Sequence, residues 1–166
     1  MKYINFYKAP FSLLEIINSD STLLEINFVK EEKAREETPV KNDLSKEILK
    51  QLDEYFKRKR KVFALPLAIQ GSKFEEKIYE QLCNIEFGDL RSYKDIAKLI
   101  LNPRACRAVG NANAKNKIPI IVPCHRVIAS DRKIAGYSGG INKKEWLLEF
   151  EGHNLIRKGN ANIFLN

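Results

Sequence analysis

Apolar positions are spaced differently in the two halves of the chain. Met1–Lys8 carries Tyr3, Ile4, Phe6 and Tyr7 in partial alternation, which predicts a strand. Two further apolar runs, Phe11–Ile17 and Leu23–Val29, flank Asn18-Ser19-Asp20-Ser21-Thr22. A cluster of turn formers between two such runs is a hairpin signal. Lys30–Pro39 is charged and ends at a proline, so it reads as an exposed loop or edge. From Asp43 to Lys57 the period changes, and Leu44, Ile48, Leu52, Tyr55 and Phe56 fall on one helical face, with Asn42 or Asp43 as the cap. Val62–Ile69 is a short apolar stretch containing Pro66, and Gln70-Gly71 marks a boundary. The pattern over residues 1–69 predicts a small antiparallel sheet with one helix.

Residues 70–166 read as a second, mostly helical domain. Ser72 and Glu75 have capping-box spacing, and Phe74, Ile78, Tyr79 and Leu82 form the stripe of a helix over Ser72–Ile85, with Cys83 beside it as a core residue. Ser92 and Asp95 open a second helix to Leu99. Asn102-Pro103 reads as a cap and first position for a third, from Pro103 to about Ala114, which carries Arg104, Arg107 and small residues. Two short helices on a tight turn, the second basic, form a helix-turn-helix pattern; helical hairpins that bind nothing share it. Ile120, Ile121 and Val122 read as a strand that stops at Pro123. A turn at Ser130-Asp131-Arg132 and a flexible loop over Gly136–Gly140 follow. Asn142 reads as the cap of a last helix, Lys143–Glu151, and Gly152 as its stop; Asn154–Asn166 stays unassigned. The fold class is α+β, a sheet domain followed by a helical one.

Composition narrows the class. No apolar run approaches the roughly 20 residues of a membrane span. Met1–Lys8 has no apolar signal core, so the expected location is cytoplasmic, or nuclear in a eukaryote. Cys83, Cys106 and Cys124 are odd in number and not at metal-ligand spacing, which argues against a disulfide framework. The first 82 residues contain neither Cys nor His. No metal and no cofactor are predicted. The net charge is +8, and Arg91–Lys133, with ten Lys/Arg against two acids, accounts for all of it. A basic segment concentrated there fits a polyanionic partner; a solubilising excess is the alternative.

The chemistry centres on Cys124, followed by His125 and Arg126. A free thiol is mostly protonated at neutral pH, and positive neighbours favour the thiolate. Adjacent residues on an extended chain point apart, so direct proton exchange between Cys124 and His125 is not assured. A hydrolase nucleophile and an inert core cysteine both remain open on these residues alone.

Pro123-Cys124-His125-Arg126-Val127 resembles the active-site signature of the O6-alkylguanine-DNA alkyltransferases. The flanks are similar too. They comprise Ser92-Tyr93, Arg107-Ala108-Val109-Gly110 and Asn116 upstream, and Gly136-Tyr137-Ser138-Gly139-Gly140, Glu145-Trp146-Leu147-Leu148 and Glu151-Gly152-His153 downstream. The likeness runs from about Phe74 to His153; the first 70 residues match only in length and strand–helix character.

The resemblance implies repair of DNA by irreversible transfer of the O6-alkyl group of guanine to Cys124, a single-turnover reaction of a monomer. It implies that His125, through a water, and Glu151 draw off the thiol proton, that Tyr93 protonates the leaving base, and that Asn116 braces the turn. On the same resemblance, Val127, Tyr137 and the Ser138 backbone are expected to line the pocket. The target nucleotide is flipped out of double-stranded DNA, with Arg107 filling the gap. Ala105, Ala108 and Ala112 permit close approach, and Arg104 and Arg126 join the DNA contacts. Asn111, Asn113 and Lys117 depart from the family pattern and bear on pocket shape and on bulky alkyl groups. The competing readings are a relative that binds alkylguanine DNA without repairing it, a cysteine hydrolase, and a structural DNA-binding module.

Overall fold

The computed structural model describes residues 1–35, 40–159 and 162–165. The chain divides into two compact units, Met1–Ile69 and Gln70–Asn166.

Among the described residues of the first unit, β1 (Tyr3–Lys8), β2 (Leu13–Asn18) and β3 (Leu23–Val29) form an antiparallel sheet in that order. Tyr3 pairs with Asn18 and Lys8 with Leu13, and the β2–β3 ladder is irregular between Ile17 and Asn18. The Asn18–Thr22 cluster makes the turn: Ser19 Oγ accepts from the backbone N–H of Ser21 and Thr22. Helix α1 (Asp43–Phe56) is capped by Asn42, whose side chain accepts from Ser45 N. Its Ile48, Leu52 and Tyr55 are fully buried, as are Leu14, Ile16 and Leu23 of the sheet. The Val62–Ile69 stretch meets β3 through one parallel bridge, Leu23 with Leu67. Part of the charged Lys30–Pro39 segment is a 3-10 turn over Glu31–Arg35; residues 36–39 lie outside the described residues.

The second unit begins with α2 (Lys73–Cys83), closed at its start by the full capping box of Ser72 and Glu75. Cys83 is exposed, not core as the apolar stripe predicted: it falls past the buried face of Ile78, Tyr79 and Leu82. Ser92 and Asp95 form a second capping box at α3 (Tyr93–Leu99). Helix α4 spans Cys106–Ala114 and starts three residues later than predicted. The carbonyl of Asn102 accepts from Ala105 N at 3.0 Å, so Asn102–Ala105 is a tight turn before the helix, not its first turn. Helices α3 and α4, joined by this turn, form the helix-turn-helix.

The apolar run Ile118–Val122 is not a strand. Val122 N donates to Ile118 O at 2.9 Å, and Ile120 sits at φ 74°, a left-handed conformation that costs a β-branched residue about 1–3 kcal/mol. The segment is a buried turn, and an apolar run of this length reads the same in either form. Strands β4 (Arg91–Ser92) and β5 (Val127–Ile128) pair in parallel. Helix α5 (Ile141–Phe150) starts two residues before the predicted start, at a Gly140 cap with φ 100° that only glycine adopts easily. The unassigned tail contributes β6 (Leu155–Lys158) and β7 (Asn162–Leu165), an antiparallel pair. Ile163 and Leu165 of β7 pack with Ile128, Ile134 and Leu148 in one apolar cluster. Two apolar runs around Gly159-Asn160 were the sequence signal for this hairpin.

Candidate functional site

The site is assembled where the buried turn ends. Asn116 holds that turn with both ends of its amide: Nδ2 donates to Val122 O at 2.8 Å and Oδ1 accepts from Ile118 N at 3.0 Å. Pro123, at φ −83° and ψ 63°, then makes an inverse γ-turn, in which Cys124 N donates to Val122 O at 2.8 Å. The proline ring presets that φ. A 3-10 turn, Cys124–Arg126, follows directly. The tight winding throws Cys124, His125 and Arg126 in different directions, so three consecutive buried residues do different things.

Cys124 borders a cavity of about 200 Å³ together with Tyr93, Gly110, Asn113, Tyr137 and Ser138. Tyr93 opens α3, and its hydroxyl donates to Ala135 O at 3.2 Å. Gly110 and Asn113 come from α4. Asn113 is buried, and its amide has no hydrogen-bond partner among the described residues. Tyr137 is half-buried and Ser138 exposed in the loop opposite.

His125 is fully buried, and its Nε2 lies 2.9 Å from Glu151 Oε1. Arg126 meets the same carboxylate in a two-pronged pair, Nε to Oε2 at 2.9 Å and Nη2 to Oε1 at 2.7 Å, while its Nη1 donates to Ile85 O at 2.6 Å. This corrects the expectation that Arg126 contacts DNA. Its guanidinium is inside the protein, because a buried Glu151 needs more than an imidazole to balance it. His125 Nδ1 has no partner among the described residues.

Burial sets the proton states. It pushes the Cys124 thiol up, and the Asn116 side chain and the Lys144 ammonium only partly pull it back. The resting form is therefore the thiol, against the thiolate expected from the basic neighbourhood. Burial pushes the His125 imidazole down, and Glu151 offsets only part of that, so the ring is neutral at pH 7. Burial pushes Glu151 up, but His125 and Arg126 overcome it and hold the carboxyl well below the usual range. Burial and the nearby Cys124 raise the Tyr93 phenol, which stays protonated. The site thus pairs a neutral base with a neutral acid around a buried thiol.

Helix α4 presents two faces. Val109, Ala112 and the cap Ala105 are buried, and Ala112 O accepts from Tyr79 Oη at 2.8 Å. Ala105 and Ala112 pack within the unit, and Ala108 is half-buried. Arg104, Arg107 and Asn111 are exposed on the other side. Val127 is fully buried, pairs with Arg91 in β5 and is not among the residues bordering the cavity. His153 is half-buried beside the network.

Sequence reasoning missed Lys144. It is 1% exposed, and its Nζ donates to the carbonyls of Val127 at 2.6 Å and of Ala135 and Gly136 at 3.3 Å each. The signal was its position, three and four residues before Leu147 and Leu148 on the buried face of α5.

Residues 73–153 match the family model described as "6-O-methylguanine DNA methyltransferase, DNA binding domain", and residues 2–69 match that described as "6-O-methylguanine DNA methyltransferase, ribonuclease-like domain". A methylated-DNA–protein-cysteine methyltransferase of Methanosarcina mazei is 40% identical over 156 residues, covering 92% of this chain and 99% of that protein. The crystal structure of the Mycobacterium tuberculosis O6-methylguanine methyltransferase superposes with a TM-score of 0.80 at 36% identity, covering 91% of this chain and 93% of that one. The Mycobacterium tuberculosis protein in complex with DNA gives a TM-score of 0.79 at 36% identity, over 88% and 90%.

Proposed function

Because the chain belongs to the methylated-DNA–protein-cysteine methyltransferase family and carries its O6-methylguanine repair activity, we propose that Cys124 is the alkyl acceptor and is consumed in a single turnover. The observation that carries this reading is the joining of one cavity to one proton relay. Cys124 borders the pocket, and the next residue, His125, is hydrogen-bonded to a buried Glu151.

The step is an in-line displacement. Cys124 Sγ forms a bond to the alkyl carbon as the bond from that carbon to guanine O6 breaks. The thiol proton passes through a water to His125 Nδ1, and the resulting imidazolium is stabilised by Glu151. Arg126 keeps Glu151 ionised and fixed, and so acts through it. The electron pair left on O6 makes the departing guanine basic, and Tyr93 supplies its proton. Each charge appears only during transfer, where a pre-aligned group already faces it.

The partner is double-stranded DNA, in keeping with the complex formed by the Mycobacterium tuberculosis relative. The target atom is inaccessible in a stacked duplex, so the nucleotide enters the pocket flipped. Arg107, exposed on α4, fills the space it leaves, and Arg104 adds a phosphate contact. Neither contact reads sequence, which suits a protein that must act on damage anywhere.

Incubation with duplex DNA bearing O6-methylguanine is expected to add one methyl per chain, on Cys124, by intact-mass and peptide analysis. Cys124→Ser is expected to bind the same DNA and gain no methyl. Continued product release beyond one equivalent, or a methyl on another residue, sinks the reading.

A further inference from the structure

We propose that Lys144 is a positioning residue for alkyl transfer, holding the end of the Cys124 turn and the facing pocket loop in register through one buried ammonium. The inference rests on the role of Cys124 proposed above.

An ammonium has three N–H donors, and here three backbone carbonyls surround it. One belongs to Val127, which directly follows the Cys124–Arg126 turn. The others belong to Ala135 and Gly136, at the start of the loop that carries Tyr137 and Ser138. Ala135 O also accepts from the Tyr93 hydroxyl, and Lys144 Nζ lies 5.8 Å from the centre of the Tyr93 ring. One side chain thus connects the nucleophile's turn, the pocket loop and the proton donor, yet it does not border the cavity.

Backbone carbonyls alone satisfy Lys144; among the described residues no carboxylate pairs with it. A buried cation without a counter-ion is costly, and a neutral donor would tie the same carbonyls at less expense. The ionisable groups around it are Cys124 and His125 in the turn, Tyr93 on α3 and, beyond His125, the Glu151–Arg126 pair. Burial lowers the ammonium pKa to about 8, so Lys144 is still mostly charged at pH 7. Its field favours the thiolate as the proton leaves Sγ. The positive charge becomes balanced only at that moment.

The test compares the parent protein with Lys144→Met, using free O6-benzylguanine to avoid DNA binding. The single-turnover rate constant is taken per reactive chain, counted by intact mass. The expected result is a loss of about tenfold near neutrality, with the rising limb of the pH–rate profile displaced upward by about one unit. A merely structural lysine reduces the reactive fraction and leaves the profile of the remainder in place; that outcome overturns the inference. If Lys144→Met does not fold, Lys144→Gln, which keeps a hydrogen-bond donor and removes the charge, is measured in the same way. The same loss and upward displacement of the rising limb are expected, and an unmoved profile overturns the inference. A parent protein that accepts no alkyl group would instead refute the role of Cys124 itself.

Discussion

The two units handle charge in opposite ways. In the first, most ion pairs lie outside, among them Met1 with Asp20, Lys8 with Glu31, Lys46 with Asp43 and Lys57 with Asp53, while the exposed Lys33 reaches the buried Glu15. Its interior holds aliphatic and aromatic side chains and several amides, with Glu15 as its buried carboxylate. In the second, His125, Arg126, Lys144 and Glu151 are all buried and locked to each other or to backbone. Backbone regularity follows the same division. Among the described residues, the first unit has one non-glycine residue at positive φ, Arg58; the second has Leu101, Ile120 and Arg132. A surface pair in water contributes little to stability and constrains nothing. A buried network must be satisfied completely, and in return it fixes each group to a defined geometry. The first unit keeps most of its charge at the surface, and the second buries a charged network around the candidate site.

The sharpest break in that contrast comes from the carboxylate. Glu151→Ala leaves His125 and Arg126 buried without their partner and is expected to destabilise by about 3–5 kcal/mol, with loss of methyl transfer. Lys57→Ala, its surface counterpart, is expected to leave the midpoint of urea denaturation unmoved. Equal effects from the two would erase the distinction between the units.

Acid should weaken the second unit first. His125 has a folded pKa below its ordinary 6.5, so the unfolded chain takes up that proton more readily. Its contribution is present above 6.5 and is lost as pH falls below it. Glu151 is depressed below its ordinary 4.5, so its contribution is present above 4.5 and is lost on further acidification. Urea midpoints should decline below pH 6.5 and more steeply below 4.5, and the steeper phase should be absent in Glu151→Gln.

A smaller effect separates strain that serves packing from strain that does not. Leu101, at φ 59°, is 90% exposed; Ile120, at φ 74°, is fully buried. Leu101→Gly relieves the left-handed backbone and is expected to stabilise by about 1 kcal/mol in thermal denaturation. Ile120→Gly relieves the same strain but empties a core position, and is expected to destabilise.

Much of the fold was legible because its signals are local. Partial alternation gave β1, the apolar runs flanking Asn18–Thr22 gave β2 and β3, Asn42, one of two cap candidates, marked the start of α1, and both capping boxes fell where Ser72–Glu75 and Ser92–Asp95 predicted them. The family was legible because its motifs lie in order along the chain. Legibility stopped where a side chain's role depends on distant partners. Arg126 looked like a DNA contact because nothing nearby shows that Glu151, 25 residues on, and Ile85, 41 residues back, will enclose it.

By itself, then, the sequence determined the two-part α+β architecture, the helix-turn-helix and the motif around Cys124 on which the proposed acceptor rests. Hydrophobic period, caps and motif spacing are properties of neighbours in the chain. Tertiary structure alone decided that Ile118–Val122 would turn and not extend, that Arg126 would face inward, and that Lys144 would be a buried tether. The physical reason is the same in each case. A short apolar run is compatible with a strand or a buried turn, and a charged residue enters the interior only where folding brings acceptors around it.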